Sequence, residues 1–233
     1  MTLKFGTDGV RGVAGTELTA ELVTALGRAA ARVLKGGTFL VGRDTRVSGP
    51  MVFTALAEGL AAEGADVVDL GVVPTPAVAA ASAARGLPAA MISASHNPYE
   101  DNGVKFFAAG GRKLSDAVEE ELEALLGAAP TGASVGALSA EPEATAVYEQ
   151  RLLDSLGGRR LDGMHVVLDC ANGAASAVAP QAFRDAGARV DVIHAEPDGT
   201  NINAACGSTH PEDLQRAVLD HNADAGLAFD GDA

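Results

Sequence analysis

Short apolar runs alternate with segments of helical periodicity along most of this chain, and few folds accommodate that alternation. Apolar runs bounded by turn residues are typical of buried strands, and they occupy residues 38–41, 65–70, 87–92, 103–108, 165–169, 189–193 and 225–229. Between them, apolar residues recur at helical spacing, as Leu22, Leu26 and Val33 do after the capping residue Thr19. Strands that alternate with helices pair into mainly parallel sheets covered by helices. The sequence therefore predicts an α/β fold.

Residues 128–143 interrupt this pattern, because they lose the periodicity and collect Gly, Ser, Thr and Pro. Such a stretch is typical of a linker. We therefore predict two successive domains, residues 1–140 and residues 141–233. The chain has 233 residues and is 47% hydrophobic, which is enough to fill two cores of this size.

The formal net charge of −14 argues against nucleic acid or an anionic membrane as a partner, since both attract basic surfaces. An anionic substrate must therefore bind where positively charged groups are concentrated locally. No apolar stretch is long enough to span a bilayer, and the first residues do not resemble a targeting signal. Two cysteines without close spacing suit a reduced compartment, so we expect a cytoplasmic protein with buried, unreactive thiols.

The segment Ser93-Ala94-Ser95-His96-Asn97-Pro98 follows directly on the apolar run 87–92. It puts a serine hydroxyl beside an imidazole at a strand end, where α/β proteins place their active sites. We predict that Ser95 is a nucleophile in phosphoryl chemistry, because a phosphoserine stores a transferable group. Taken alone, the segment is equally compatible with an ordinary turn in which the histidine is a cap.

Four other segments carry glycines or charged residues close to predicted strands; they read FGTDGVRG at 5–12, VGRDTR at 41–46, DNGVKFF at 101–107 and FDGDA at 229–233. In the last of them, Asp230 and Asp232 are one residue apart on a turn after a strand, so both carboxylates can face one hard cation such as Mg²⁺. A pair of aspartates at this spacing is a weak signal by itself. It becomes a strong signal for a metal site only in combination with the Ser95 turn.

Together these segments resemble the α-D-phosphohexomutase superfamily, from Lys4 to the last residue. The segments PDGTNIN at 197–203 and CGSTH at 206–210 resemble the members that act on glucosamine phosphates rather than on mannose or glucose phosphates. The resemblance implies two α/β/α layered domains with mixed, mainly parallel sheets. It also implies a phosphoserine enzyme of the isomerase class, which interconverts glucosamine 6-phosphate and glucosamine 1-phosphate through a 1,6-bisphosphate, and a homodimer formed through the first domain.

The resemblance further implies roles for individual residues. Ser95, Asp230 and Asp232 would hold one Mg²⁺, and Lys105 would transfer the proton. His96 is the competing candidate for the acid or base, but we favour a role in stabilising the surroundings of the phosphoserine. Arg11 would clamp a phosphate between glycines. Apart from the resemblance, the position of Arg43, Asp44 and Arg46 just past a strand end allows two roles: they could neutralise the phosphoserine or pair with one another as a structural ion cluster. We favour the first role for Arg43 and the second for Asp44 with Arg46.

Members of the superfamily continue through an Asp-Gly-Asp-x-Asp-Arg loop into a sugar-recognition domain and a C-terminal phosphate-binding domain, and this sequence stops at Ala233, inside that loop. We therefore expect residues 1–233 to be inactive in isomerisation by themselves. The alternative is a non-catalytic half that binds phosphate and dimerises. The histidine at 210 has no neighbouring pair of His or Cys residues, so no structural zinc is expected there.

Overall fold

The computed structural model describes residues 9–132 and 134–233, so residues 5–8 of the predicted glycine-rich motif lie outside the described residues. Within the described residues, seven strands form a first sheet: β1 (Val10–Val13), β2 (Thr38–Arg43), β3 (Asp66–Val72), β4 (Ala89–Ile92), β5 (Asp101–Ala108), β6 (Arg112–Lys113) and β7 (Leu138–Ala140). A second sheet contains β8 (His165–Asp169), β9 (Arg189–Ile193) and β10 (Ala225–Ala228). The helices are α1 (Ala20–Leu34), α2 (Gly49–Ala62), α3 (Thr75–Arg85), α4 (Asp116–Ala124), α5 (Ala144–Ser155), α6 (Ala179–Asp185) and α7 (Glu212–Asp220).

The first sheet has the strand order β1-β5-β4-β2-β3-β7, with β6 beside β5. Strands β4, β2, β3 and β7 are parallel, whereas β5 is antiparallel to both β4 and β1. The carboxyl ends of β2 and β4 therefore reach the same edge of the sheet, where ligand sites of α/β folds lie. In the second sheet, β8 is the central strand and all three strands are parallel.

Apolar side chains on both faces of the first sheet explain why helices cover it. Leu26 of α1 and Leu56 of α2 pack in one buried cluster with Val41 of β2, and Val78 of α3 packs in another with Met91 of β4. The second sheet has its own core, which includes Val166, Leu168 and Cys170. The predicted mixed α/β/α architecture is thus confirmed. Among the described residues, none of the helices is long and apolar enough to cross a bilayer.

Two sequence predictions about local structure were wrong. The segment predicted as a linker contains β7, which pairs with β3 through Val67 and Leu138. β7 has only three residues, all of them exposed, and a run this short is not recognisable as a strand from its sequence pattern. The helix predicted over 174–186 is divided into a short 3₁₀ turn, Ala174–Ala177, and α6, which has Pro180 in its first turn. Proline is tolerated there because the first amides of a helix have no partner within it.

The division of the chain at residue 140 stays a prediction. The last strand of the first sheet ends at Ala140 and α5 begins at Ala144, which suits a boundary there. Helix α5, however, packs against both α3 and α6. It therefore contacts elements on either side of the predicted boundary.

An ion pair at the end of α2 provides a pH-dependent test of the fold. The Arg32 guanidinium and the Thr131 hydroxyl donate hydrogen bonds to Glu63, at 2.7 and 2.5 Å, and hold the pKa of Glu63 down to about 2. A lowered pKa means that the ionised carboxylate stabilises the fold above its unfolded pKa of 4.5, and that this stability is lost as the pH falls toward 2.

We expect Glu63→Gln to lower the free energy of unfolding by about 1–2 kcal/mol at pH 7, as for other hydrogen bonds to charged groups. The difference from the wild type should shrink below pH 4.5. Urea unfolding between pH 7 and pH 3 measures this. The exposed Glu58→Gln on the same helix is the control and should change little at any pH. A pH-independent loss in Glu63→Gln would contradict the assignment.

Candidate active site

Ser95 lies in the loop that follows β4, at the carboxyl edge of the first sheet. Its backbone has φ = 56°, in the left-handed region that residues other than glycine rarely adopt. Its amide donates to the Ser93 hydroxyl at 2.8 Å, and that hydroxyl donates to Asp44 at 2.6 Å. Left-handed backbone of this kind persists only where the surroundings enforce it, and it occurs often at functional sites.

The Ser95 hydroxyl donates a hydrogen bond of 2.5 Å to Oδ2 of Asp230. Asp230 follows β10 of the second sheet, so this contact joins loops at the carboxyl ends of strands from both sheets. The structure therefore brings together two of the residues that the sequence analysis singled out, although 135 positions separate them in the chain.

The short segment from Asp230 to Asp232 is held from both sides. The Ala174 amide donates to the Gly231 carbonyl at 3.0 Å, and the Thr75 amide donates to the Asp232 carbonyl at 2.9 Å. The Thr75 hydroxyl also donates to Oδ2 of Asp232 at 2.5 Å. These contacts leave the two carboxylates on the same side as Ser95.

The electrostatics of this segment suit a cation. Burial raises the pKa of Asp232, and the neighbouring Asp230 charge raises it further, while the Thr75 hydrogen bond and the Arg11 charge oppose the rise. Two carboxylates that approach each other in a buried site are stabilised when a cation lies between them. The oxygen donors of Asp230, Asp232 and Ser95 are the kind that Mg²⁺ prefers, so the residues present fit this ion.

Arg46 organises the Ser95 loop, and the sequence analysis did not predict that function. Its guanidinium donates to Asp44 at 2.8 Å, which agrees with the predicted ion pair. It also donates to the carbonyls of Ser95 at 2.8 Å, Asn97 at 2.9 Å and Asp101 at 3.0 Å, and to that of Pro98. One buried side chain thus satisfies the carbonyls of Ser95, Asn97 and Pro98 in the loop and that of Asp101 at the start of β5.

Burial raises the pKa of Asp44, and the Arg46 charge and the Ser93 hydroxyl act against that rise. Neither side chain of the Asp44–Arg46 pair is exposed. The ion pair is therefore part of the support of the loop, since each partner would be an unpaired buried charge without the other.

Asn203 holds the Ser95 loop from the second sheet. Its side-chain amide donates to the Ser95 carbonyl at 2.9 Å and to the Asn97 carbonyl at 3.1 Å. The Thr45 hydroxyl makes a further link between the two halves, because it donates to the Asn172 carbonyl at 2.7 Å. The sequence analysis quoted Asn203 only as part of a motif that resembles one group of relatives, and did not predict this contact.

Arg11 and Lys105 project from the same face of the first sheet. Arg11 of β1 lies directly opposite Gly103 of β5, and Lys105 is two residues further along β5. Opposite residues and residues two apart share a face. The Arg11 charge acts on Asp232, which places that guanidinium near the aspartates. A side chain at Gly103 would lie 2.8 Å from the Arg11 Cγ, so the glycine provides room for the arginine.

Arg43 and His96, two further predicted site residues, make no contact with the Ser95–Asp230 pair among the contacts that the described residues show. Arg43 pairs with Asp69 at 2.7 Å and lies over the Phe53 ring at 4.9 Å, so its observed contacts do not support the predicted role of neutralising the phosphoserine. His96 is exposed, and no side chain among residues 9–132 and 134–233 hydrogen-bonds to its ring. Its predicted role as an acid or base stays a prediction.

The two cysteines are buried, as predicted. Burial is the main cause that raises the pKa of Cys170 to about 12 and that of Cys206 to about 11. Both therefore remain protonated thiols at neutral pH, which makes them poor nucleophiles.

Comparison with known proteins agrees with this fold and this arrangement. Residues 2–131 match the family model for phosphoglucomutase/phosphomannomutase α/β/α domain I, and residues 145–233 match the model for domain II. The chain belongs to the α-D-phosphohexomutase superfamily. The domain I match covers the first sheet except β7, and the domain II match covers the whole second sheet, as the resemblance of the sequence motifs implied.

Several relatives resemble this phosphohexomutase chain over nearly all of its length. A phosphoglucosamine mutase of Rhodococcus jostii is 56% identical over 98% of the chain, and one of Saccharopolyspora erythraea is 54% identical over the whole chain. A phosphoglucomutase/phosphomannomutase family protein of Burkholderia thailandensis has a solved structure with a TM-score of 0.84, at 30% identity over 99% of the chain. The chain covers 54% of each of the two mutases and 52% of the solved structure, so it spans about half the length of these relatives.

Proposed function

We propose that this chain carries the phosphoserine and metal site of a phosphoglucosamine mutase, which interconverts glucosamine 6-phosphate and glucosamine 1-phosphate through a 1,6-bisphosphate. The observation that carries the proposal is the 2.5 Å hydrogen bond between the Ser95 hydroxyl and Asp230. A strained, loop-held serine beside two carboxylates is a suitable arrangement for storing and returning a phosphoryl group.

In the proposed reaction, phosphorylated Ser95 gives its phosphoryl group to a free hydroxyl of the sugar phosphate. The bond between Ser95 Oγ and phosphorus breaks and a bond from the sugar oxygen to phosphorus forms. The sugar hydroxyl loses its proton to Lys105, which shares the face of the first sheet from which Arg11 projects. In the second transfer, the bond between the other phosphorus and its sugar oxygen breaks and a bond from Ser95 Oγ to that phosphorus forms. Lys105 returns its proton to the freed sugar oxygen, so the phosphoserine enzyme is restored.

The other residues of the site position the Ser95 hydroxyl or offset the negative charge of the phosphate groups. Arg11 offers a planar guanidinium to phosphate oxygens, and Arg46 and Asn203 hold the carbonyls of the Ser95 loop, which fixes the direction of the hydroxyl. Ser95, Asp230 and Asp232 would hold one Mg²⁺, which when bound offsets the negative charge of the phosphoryl oxygens. Positioning and charge neutralisation provide most of the catalysis in phosphoryl transfer.

Glucosamine phosphate is the proposed substrate because two relatives named phosphoglucosamine mutase are 54–56% identical to this chain. Phosphomannomutase and phosphoglucomutase activities are the alternatives within the same superfamily. We propose a cytoplasmic homodimer, on the resemblance described above and on the two buried free cysteines.

Replacement of Ser95 tests the proposal. We expect the protein, completed with the C-terminal half of the Rhodococcus jostii relative, to carry one phosphate after purification, and Ser95→Ala to carry none and to be inactive. Asp230→Asn should slow isomerisation at least about 100-fold, because it removes an electrostatic contact at the reacting group, and EDTA should inhibit the wild type. Intact-mass analysis with peptide mapping and a coupled isomerase assay measure these effects.

The control is Ser155→Ala, which removes an exposed serine at the end of α5, 60 positions after Ser95. It should leave both the phosphate content and the isomerase activity unchanged. Relative rates on glucosamine, glucose and mannose phosphates identify the substrate. Residues 1–233 without the completing half should not isomerise any of the three. An unphosphorylated Ser95→Ala protein with full activity would end the proposal, and faster turnover of mannose or glucose phosphate would correct the substrate.

A further inference from the structure

Three side chains with metal-binding atoms converge on the second sheet, away from the candidate active site. His165 is the first residue of β8, Asp191 lies on β9, and His221 directly follows α7. The His165 Nε2 and the His221 Nδ1 each lie 2.7 Å from the same carboxylate oxygen, Oδ2 of Asp191. All three ligand atoms lie within 4.8 Å of one another.

The fold explains why these residues meet. Strands β8 and β9 are parallel with Val167 opposite Asp191, and His165 is two residues before Val167, so His165 and Asp191 share a face of the sheet. Helix α7 packs against β8 and β10, and the hydrogen bond from the His221 amide to the Ala217 carbonyl keeps His221 at its last turn. The cluster is therefore supported by two strands and a helix rather than by a mobile loop.

The cluster is separate from the Ser95 site. Both β8 and β10 run from the edge where His165 lies to the edge from which Asp230 emerges. A strand of this length spans roughly 13 Å, at about 3.3 Å for each residue step. The two sites thus lie at opposite ends of the same sheet.

We propose that His165, Asp191 and His221 form a binding site for a divalent transition-metal ion, with zinc as the favoured ion. Two imidazoles and one carboxylate are a ligand set that zinc accepts, with bonds of about 2.0–2.2 Å and a fourth position for water. Tetrahedral bonds of that length separate the ligand atoms by roughly 3.3 Å, so the observed 2.7 Å contacts need only a small widening. His221 is 46% exposed, which leaves the fourth position open to solvent.

The charges of the cluster favour a cation. The Asp191 carboxylate lies between the two imidazoles and brings a negative charge to the position that a cation would occupy. One carboxylate oxygen accepts from both rings, and a dication that replaces these two ring protons satisfies all three ligand atoms at once. Imidazole nitrogens favour zinc and its neighbours over Mg²⁺, which prefers oxygen ligands.

A second group, Asp169, His194 and Cys206, is close enough to share a metal but is less suitable. The Asp169 oxygens already accept hydrogen bonds from the amides of Ala171 at 3.0 Å and Gly207 at 2.9 Å. Asp169 and Cys206 are fully buried, so an ion held there would have little access to the water that completes a three-ligand zinc site. This group provides the control in the experiment below.

Zinc titration of metal-free residues 1–233 tests the proposal. We expect one Zn²⁺ to bind by calorimetry and to raise the thermal midpoint, and Co²⁺ to give the visible absorption of a four-coordinate site. His221→Gln and Asp191→Asn should each weaken zinc binding at least about tenfold, since loss of even an outer-shell partner costs that much. His221→Gln changes a half-exposed ring outside the cores, so folding should be kept.

Three variants serve as matched controls: His194→Gln for the second group, His210→Gln for an exposed histidine, and Asp230→Asn for the Ser95 site. Each should bind zinc as the wild type does. The proposal would be overturned by the absence of zinc binding in the wild type, by unchanged binding in His221→Gln, or by loss of binding in His194→Gln or Asp230→Asn. Mg²⁺ at the same concentration should not compete.

Discussion

Arg46→Met is expected to lower the free energy of unfolding by about 3–5 kcal/mol, which is the usual cost of breaking a buried ion pair by removing one partner. The substitution leaves Asp44 buried without its cation, and it removes the donor for the carbonyls of Ser95, Asn97, Pro98 and Asp101. Met fills a similar volume, so the loss comes from the polar contacts rather than from a cavity. Urea unfolding at neutral pH measures it.

The loss of stability in Arg46→Met should be concentrated in the Ser95 loop. Hydrogen exchange of amides in residues 93–103 should accelerate more than exchange in β8, because local opening follows the local hydrogen bonds. Arg46→Lys should recover only part of the stability, since an ammonium lacks the planar fork that reaches several carbonyls at once. A protein in which Lys and Met behave alike would show that charge at this position contributes little.

Arg160→Met is the matched control. Arg160 pairs with Asp162 at 2.9 Å, but the two side chains are 56% and 66% exposed. Exposed pairs of this kind contribute about 0–1 kcal/mol. Equal losses in the two variants would mean that the buried position of Arg46 is unimportant, contrary to our account of the loop.

Gly231→Ala is expected to slow isomerisation by the completed protein at least about 100-fold, because small displacements of reacting groups have effects of that size. A Cβ at residue 231 would lie 2.6 Å from the Ser95 carbonyl oxygen and 2.7 Å from the Ile202 side chain. The backbone between Asp230 and Asp232 cannot retreat freely, since its carbonyls accept from Ala174 and Thr75. The methyl group would therefore separate the aspartates from Ser95.

The turnover number, the Mg²⁺ dependence and the free energy of unfolding should be measured together for Gly231→Ala. We expect a stability loss of about 1–3 kcal/mol, as for other overpacked sites, so that folded protein remains and the rate loss is attributable to geometry. Gly127→Ala is the control, because a Cβ there meets nothing within 4 Å. Wild-type turnover by Gly231→Ala would show that the close approach of the two loops is not needed.

The sequence predicted the strands whose apolar side chains enter a core more accurately than the short, exposed strands. The predicted bounds of β8 and β9 match the structure: β8 is buried along its length, and Val190 and Val192 of β9 pack against the same core. Strands β1, β6 and β7 were not predicted. They are short, and β6 and β7 are wholly exposed, so their pairing partners rather than their own side chains determine them.

Among the candidate site residues, those with a local sequence pattern were predicted and those placed by long-range contacts were not. The sequence analysis predicted Ser95, Asp230 and Asp232 as site residues because their residue types and local spacing carry the chemistry that a phosphoryl group and a hard cation require. Their roles stay predictions. The positions of Arg46 and Asn203 follow from long-range hydrogen bonds to the Ser95 loop, which no local pattern records. Arg43 had the expected residue type near a strand end, but Asp69 on the neighbouring strand holds it.

By itself, the sequence determined the fold class, most helices and central strands, and the chemical identity of the Ser95 and Asp230 loops, since each of these is encoded in residues close together in the chain. Only the tertiary structure decided which groups that are distant in the chain come into contact. These contacts join Ser95 to Asp230, the Arg46 guanidinium to four backbone carbonyls between Ser95 and Asp101, and Asp191 to both His165 and His221. The physical reason is that such contacts depend on strand register and on the packing of whole elements, which arise when the chain buries its apolar surface.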